Sequence, residues 1–201
     1  MKEIINNFSK CHQIWRATAH DEMRPVMNYI FFENGFAYAS DAHILVRIPI
    51  GYISYFDDDE NKKLNGHGIY APAYKFITSL GILQIEECKI KTPKGLEDGI
   101  CFVGSMDSCE VRVNLTNPSQ HKHPDYDPLF NMPGERTPIK RIGLSQKYLG
   151  RLTAALGTPD VKMEFIDSKR SIFVSPISAL ETGSEAVIMP IALTGTLEGF
   201  D

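Results

Sequence analysis

The sequence predicts an α+β protein in which a helix followed by an antiparallel sheet is repeated along the chain. Asn34 and Gly35 stand between two aromatic, alternating runs, a strong hairpin signal because both turn residues must accept a positive φ. A helical apolar stripe that follows Ser145 ends at Gly157, a residue typical of helix ends. The order of one helix and then three strands recurs three times within 201 residues, which indicates similar half-domains.

The first unit is predicted to open with an amphipathic helix over residues 4–17, because an apolar stripe lies opposite a polar one. Strands at 28–32, 36–40 and 44–50 follow, with a polar corner at 40–43. The stretch 51–68 is predicted to be a solvated loop. Its acidic run, Asp57 to Glu60, lacks the alternating ligand spacing and the glycine of a calcium-binding loop.

The second and third units repeat the order of the first, and a proline-rich connector over 117–134 joins them. Pro72 suits the first turn of the second helix, and Ser145 is a good N-cap for the third. The predicted strands are 68–71, 83–92, 99–104 and 109–115 in the second unit and 139–144, 161–166, 171–175 and 185–191 in the third.

The composition indicates a soluble globular protein, with 43% hydrophobic and 23% charged residues. No apolar run approaches membrane-spanning length and the N-terminus is too polar for a secretory signal, so we expect a cytoplasmic protein. The net charge of −4 argues against a generally basic nucleic-acid binder but leaves room for a locally basic face. The four cysteines show no CxxC spacing, and no Walker or GxGxxG motif occurs, so no cofactor is expected.

Four segments, taken in order, resemble the bacterial sliding clamp, the β subunit of replicative DNA polymerase III. They are the stretch 24–45, HPDY at 123–126, LSQKYL at 144–149 and VIMPI at 187–191. At the corner, where that family typically reads ATDGHRLA, Asp41, His43 and Leu45 match, whereas Ala42 replaces the glycine and Ile44 the arginine. The resemblance implies the DNA-clamp fold, with residues 1–128 similar to the middle domain and 129–201 similar to the end of the C-terminal domain.

The resemblance also implies a pocket that binds short peptide motifs of DNA polymerases and other replication or repair proteins. Such a pocket needs a concave apolar surface and a few polar groups that orient the peptide backbone. Ile44 in place of the arginine removes one polar contact. Carried over position by position, the pocket would be lined by Met27, Ser40, Ala42, His43, Ile44, Leu45, Pro124, Leu129, Val187, Met189, Pro190 and Ile191.

Duplex DNA, held without sequence preference, is the second partner that the resemblance implies, together with a possible homo-oligomeric ring. Clamps hold DNA against basic helix faces. The position of the cations in this chain has an alternative explanation that is nearly as good: any soluble helix presents lysine and arginine to water. The cations opposite the apolar stripes or near a helix end are Lys2, Lys10, Arg16, Lys75, Lys147 and Arg151.

Two alternatives remain open. A clamp relative that never closes a ring would only bind or sequester clamp-binding peptides. A protein of another class, a small hydrolase or metal-dependent enzyme, would use His43 or the pair His121 and His123. A non-enzymatic clamp-like protein is the leading interpretation, since Ser40, Asp41 and His43 lie too close together in sequence to form a catalytic relay. Asp41 is better explained as a turn residue that binds backbone N–H groups.

Overall fold

The computed structural model describes residues 7–116, 124–131, 139, 141–177 and 183–192. Within these ranges the strands form two antiparallel sheets, one of seven strands and one of three. The strands are β1 (Tyr29–Glu33), β2 (Phe36–Ser40), β3 (Ile44–Pro49), β4 (Gly68–Tyr70), β5 (Gln84–Thr92), β6 (Gly95–Met106), β7 (Cys109–Asn114), β8 (Val161–Glu164), β9 (Ile172–Pro176) and β10 (Glu185–Ile188).

The large sheet has the order β4-β1-β2-β3-β10-β9-β8, and the small sheet has the order β5-β6-β7. The helices of the described residues are α1 (Ile50–Ile53), α2 (Asp58–Leu64), α3 (Ala71–Ile77), α4 (Asp127–Phe130) and α5 (Gln146–Leu156), with 3-10 turns at Ile14–Ala17 and Pro25–Asn28. The large sheet therefore contains strands from both sides of residue 128. The division of the chain into domains at that position stays a prediction.

The predicted hairpin is confirmed. Asn34 and Gly35 have φ values of 50° and 81°, so both turn residues adopt the left-handed conformation that this turn requires. The turn sets the register that places Phe32 opposite Ala37. Both of these residues are fully buried on the same side of the sheet.

The main core lies between the two sheets. The inner face of the large sheet contributes Phe32, and the small sheet contributes Phe102. Phe8 contacts both, with ring centroids 6.0 Å from Phe32 and 5.4 Å from Phe102, and it also contacts Tyr74 of α3 at 4.8 Å. The first two predicted units thus share one core, to which the third unit also contributes buried residues such as Leu152 and Ile172.

The amphipathic helix predicted for residues 4–17 is wrong where the structure describes it; residues 1–6 lie outside the described ranges. Residues 7–13 are not helical, and only the 3-10 turn Ile14–Ala17 forms. The N–H of Ser9 donates to the carbonyl of Ile53 (2.6 Å), and the N–H of Gln13 donates to the carbonyl of Ala154 (3.0 Å). These distant backbone partners, with the burial of Phe8, outweigh the local helical pattern.

The loop predicted for 51–68 is also wrong, because the acidic run opens helix α2. Asp57 is its N-cap: its carboxylate accepts the N–H groups of Asp59 and Glu60. Glu60 accepts the N–H of Asp57 in return, at 2.9 Å, which completes a capping box. The acidic side chains also lie at the positive end of the helix dipole, where negative charge is stabilising.

Helix α5 is confirmed with its predicted ends, and Gly157 has a φ of 74° at its C-terminus. Its stripe of Leu152, Ala155 and Leu156 is buried. The strand predicted before it, over 139–144, is reduced to a single bridge between Gly143 and Ile191 among the described residues. Beyond β10, Pro190 has no N–H group and so cannot donate a backbone hydrogen bond that would extend the strand pairing.

None of the helices in the described part of the chain is long and apolar enough to cross a membrane.

Candidate functional site

Strands β3 and β10 bring together the two distant segments that the sequence predicts to share a pocket. Leu45 lies opposite Val187 and Ile44 opposite Ile188 in the antiparallel register. Beyond the last pair, the N–H of Met189 donates to the carbonyl of His43 at 2.8 Å. The polar corner at 40–43 and the segment 187–191 therefore form one continuous edge of the site.

The corner is a tight turn whose polar side chains bind its own backbone. The Asp41 carboxylate accepts the N–H groups of His43 and Ile44, both at 3.0 Å, which confirms Asp41 as a turn residue. The Ser40 hydroxyl donates to the carbonyl of Ile44 and accepts the N–H of Ala42. Ala42 itself has a φ of 73°, a left-handed conformation that an L side chain rarely adopts.

His43 is held by an aromatic contact, not by a relay. Its ring stacks on that of Tyr148 in α5, with centroids 4.8 Å apart and planes inclined by 23°. Within the described residues no hydrogen bond joins the side chains of Ser40, Asp41 and His43. The corner thus presents an exposed imidazole against a half-buried tyrosine, a flat aromatic surface for a ligand side chain. In the sequence, Tyr148 belongs to the apolar stripe of the helix that follows Ser145, and nothing there predicts its contact with His43.

The outer face of the large sheet carries a second apolar cluster, which the sequence did not predict. Its members are Tyr38, Leu45, Tyr126, Phe130 and Val187. Leu45 and Val187 are 3% and 4% exposed, because Tyr126 and Phe130 of the connector cover them. Leu45 and Val187, both predicted to line the pocket, therefore form a floor that Tyr126 and Phe130 cover, and they are not open to solvent.

The remaining predicted pocket residues differ in exposure. Leu129, Met189 and Ile191 are 40%, 43% and 49% exposed, and so are available to a ligand. Pro124 is exposed and Pro190 half-buried. Ile44 instead points into the main core with 2% exposure. Met27 is half-buried in the 3-10 turn that precedes β1, and its carbonyl accepts the N–H of Ala19.

Arg47 of β3 holds the connector against the apolar cluster on the outer face of the large sheet. Its guanidinium donates to the carboxylate of Glu185 in β10 (2.5 and 2.8 Å) and lies 3.4 Å from that of Asp127 in α4. The same group sits 4.2 Å from the centroid of the Phe130 ring. The Tyr38 hydroxyl also donates to Asp127, at 3.1 Å. Burial, and then the nearby Asp127 carboxylate, raise the pKa of Tyr38 to about 12.

A cleft of about 290 Å³ lies beside the contacts of Arg47 with Glu185 and Asp127. Phe130 and Phe173 form its apolar wall, and Lys162, Glu164 and Glu185 supply charge at its rim. The sequence offered no sign of the cleft, since its walls come from α4 and from three strands of the large sheet.

The predicted DNA-binding cations occupy unlike environments. Lys10, Arg16, Lys75 and Lys147 are exposed, and Lys2 lies outside the described residues. Arg151 is turned inward: its guanidinium donates to the Asp41 carboxylate and to the carbonyls of Arg16 and Thr18. Its three nitrogens are therefore engaged within the protein, an arrangement that the helical pattern did not predict.

The candidate metal-binding pair His121 and His123 lies outside the described residues. Within the part of the chain that the structure describes, no group of three or more histidine, cysteine, aspartate or glutamate side chains is placed to hold a metal ion. His43 stacks on Tyr148 with no such group around it.

The chain matches no protein-family model and no curated protein sequence. Its fold is similar to the crystal structure of the DNA polymerase III beta chain of Streptococcus pneumoniae TIGR4, with a TM-score of 0.56 and 11% sequence identity. The match covers 96% of this chain and 66% of the other, so this chain spans slightly less than two thirds of that protein's length. The predicted α+β DNA-clamp fold is confirmed.

Proposed function

We propose that this protein is a non-enzymatic, clamp-like adaptor that docks replication or repair proteins through a peptide site at the β3–β10 junction. The observation that carries the proposal is the pairing of the His43 corner with the segment that ends in Met189 and Ile191, on a DNA-clamp fold. An exposed methionine beside the stacked His43 and Tyr148 rings offers an adaptable apolar contact. A docked partner would gain local concentration at its template.

The peptide site has two parts in this proposal. Leu129, Met189 and Ile191 form the open part, and each leaves two-fifths or more of its surface to solvent. Leu45 and Val187 form the floor beneath Tyr126 and Phe130. A leucine or phenylalanine side chain of the peptide packs on the open part, while the exposed imidazole of His43 orients its backbone.

Fluorescence anisotropy of a labelled clamp-binding peptide of the QL(S/D)LF type tests this site. Saturable binding with a micromolar dissociation constant, near −8 kcal/mol, is expected for the wild type. Met189→Asp should abolish it, because the charge replaces an apolar contact. The matched control is Leu96→Asp, since Leu96 is 71% exposed on β6 of the other sheet. Absence of binding by folded wild type, or equal binding by Met189→Asp, would refute the peptide site.

Duplex DNA is the second ligand in the proposal, held through phosphates by the exposed cations on the helix side. Arg16, Lys75 and Lys147 are exposed on elements that pack on the inner face of the large sheet. Binding of labelled duplex should weaken steeply with salt. Lys75→Glu combined with Lys147→Glu should weaken it further, whereas Lys89→Glu on the small sheet should not. Duplex affinity that is indifferent to salt and to the double variant would remove DNA from the function.

A further inference from the structure

Strand β8 is an outer strand of the large sheet, and β9 is its sole strand neighbour among the described residues. Asp160 accepts the N–H of Ile177 at 3.2 Å, and Pro176, which has no N–H, lies opposite Val161. Backbone bonds in an antiparallel pair alternate. Lys162 and Glu164 therefore direct their backbone groups toward β9, whereas Val161, Met163 and Phe165 direct theirs toward the outer edge.

The side chains of this segment alternate in the same way. Val161, Met163 and Phe165 face the main core, but all three remain only half-buried at the rim of the sheet. Lys162 and Glu164 face the opposite side and form an ion pair at 2.8 Å. Read forward, the segment is apolar, cation, apolar, anion, apolar; read backward, the two charges exchange places. Two antiparallel copies therefore set a cation opposite an anion.

From this self-complementary edge we propose that two copies of the chain form a dimer by pairing β8 with β8 of the second copy. The strands run antiparallel about a two-fold axis through Met163. An isologous interface requires a surface that is complementary to itself, and this edge meets that condition in backbone, charge and apolar pattern together. Strand β9 separates this interface from the β3–β10 junction, and the dimer does not depend on peptide binding.

The register follows from the two-fold axis. Met163 lies opposite its own copy, and the two residues exchange both backbone hydrogen bonds. Lys162 lies opposite Glu164 of the second copy in the close, non-hydrogen-bonded type of pair, so each of the two symmetric contacts joins opposite charges. Val161 lies opposite Phe165 of the second copy on the core side, where both half-buried side chains lose their remaining exposure. Moving the two-fold axis by one residue, to Lys162 or to Glu164, would set like charges against each other.

Sedimentation equilibrium and light scattering of the full chain test the dimer. The expected mass is twice the 22.6 kDa of the chain. Lys162→Glu places a carboxylate opposite Glu164 of the second copy, and Glu164→Lys places two ammonium groups opposite each other. Because the two-fold axis repeats each change, either variant should raise the dimer dissociation constant about tenfold. The double variant, Lys162→Glu with Glu164→Lys, restores opposite charges and should restore the dimer.

Lys89→Glu is the matched control, because Lys89 is an exposed, ion-paired lysine on a strand at the edge of the small sheet. It should leave the mass unchanged. Circular dichroism verifies that each variant is folded. A monomer at all concentrations would overturn the proposal. So would a larger ring, or a dimer that the single charge changes leave intact or that the double variant fails to restore.

Discussion

The guanidinium of Arg151 in α5 lies 2.5 Å from the carboxylate of Asp41, in the corner that carries His43. The other carboxylate oxygen of Asp41 accepts the N–H groups of His43 and Ile44. The same guanidinium donates to the carbonyls of Arg16 and Thr18. One side chain therefore joins the N-terminal segment, the third-unit helix and the corner of the proposed peptide site.

Replacing Arg151 with alanine should destabilise the protein by about 3 kcal/mol, because it leaves the buried Asp41 carboxylate without its cation. The Asp41 side chain is 8% exposed and that of Arg151 21%. Urea unfolding measures the change. The control is Lys62→Ala, since Lys62 and Asp59 form an ion pair in which both side chains are largely exposed; its unfolding midpoint should not move. Equal effects of the two variants would contradict a structural role for Arg151.

Tyr74→Phe should stabilise the protein by about 1 kcal/mol. The Tyr74 side chain is fully buried in the core, and its hydroxyl has no hydrogen-bond partner among the described residues. Removing the hydroxyl eliminates that unsatisfied group and keeps the ring. Tyr38→Phe is the matched control: it should destabilise, because the Tyr38 hydroxyl donates to Asp127. A loss of stability in Tyr74→Phe would show that its hydroxyl has a partner.

Alkaline pH should weaken the wild type more than Tyr38→Phe. The pKa of Tyr38 is raised from 10.0 to about 12 in the folded state, so folding favours the protonated phenol. That contribution is fully present below pH 10 and is lost as the pH rises toward 12. The free energy of unfolding of both proteins, measured across this window, gives the difference. Parallel curves would contradict the raised pKa.

Ala42→Gly should stabilise the protein by about 0.5–1 kcal/mol. Glycine adopts the left-handed conformation without the steric cost that alanine bears. The greater conformational entropy of glycine in the unfolded chain offsets part of this gain. Ala42 has a φ of 73° and is exposed, so no packing is lost. Thermal unfolding measures the effect. The same substitution at Ala154, within α5, should instead destabilise by about 1 kcal/mol. A destabilised Ala42→Gly would mean that the corner does not hold this conformation in solution.

Local signals in the sequence predicted the local structure well. Asn34 and Gly35 form a hairpin turn through their own positive φ values, independently of their surroundings. Gly157 likewise ends α5 because its own φ is positive. The prediction failed where distant partners decide the conformation. Phe8 leaves the helical pattern because the two sheets enclose it. Helix α2 is a different case: the spacing of Asp57 and Glu60 that forms its capping box is visible in the sequence, and the prediction of a loop there is wrong.

The site was predictable in part. The resemblance to clamps placed the His43 corner beside Met189, and the pairing of β3 with β10 brings them together. Periodicity could not show that Arg151 turns inward, because Asp41 lies 110 residues away in sequence. For the same reason it could not show that Tyr126 and Phe130 cover Leu45 and Val187, although the connector's aromatic residues were a signal that it packs on a surface.

The pairing of β3 with β10 also bears on how the chain is made. Arg47 and Glu185, which face each other across that pair, are 138 residues apart in sequence. While the ribosome is still translating the third unit, β3 is an unpaired strand edge. Its apolar run Ile44 to Val46 stays exposed until β10 is made and pairs with it. We therefore expect the last step of folding to be slow and prone to aggregation, and a nascent chain that stops before Glu185 to need a chaperone to remain soluble.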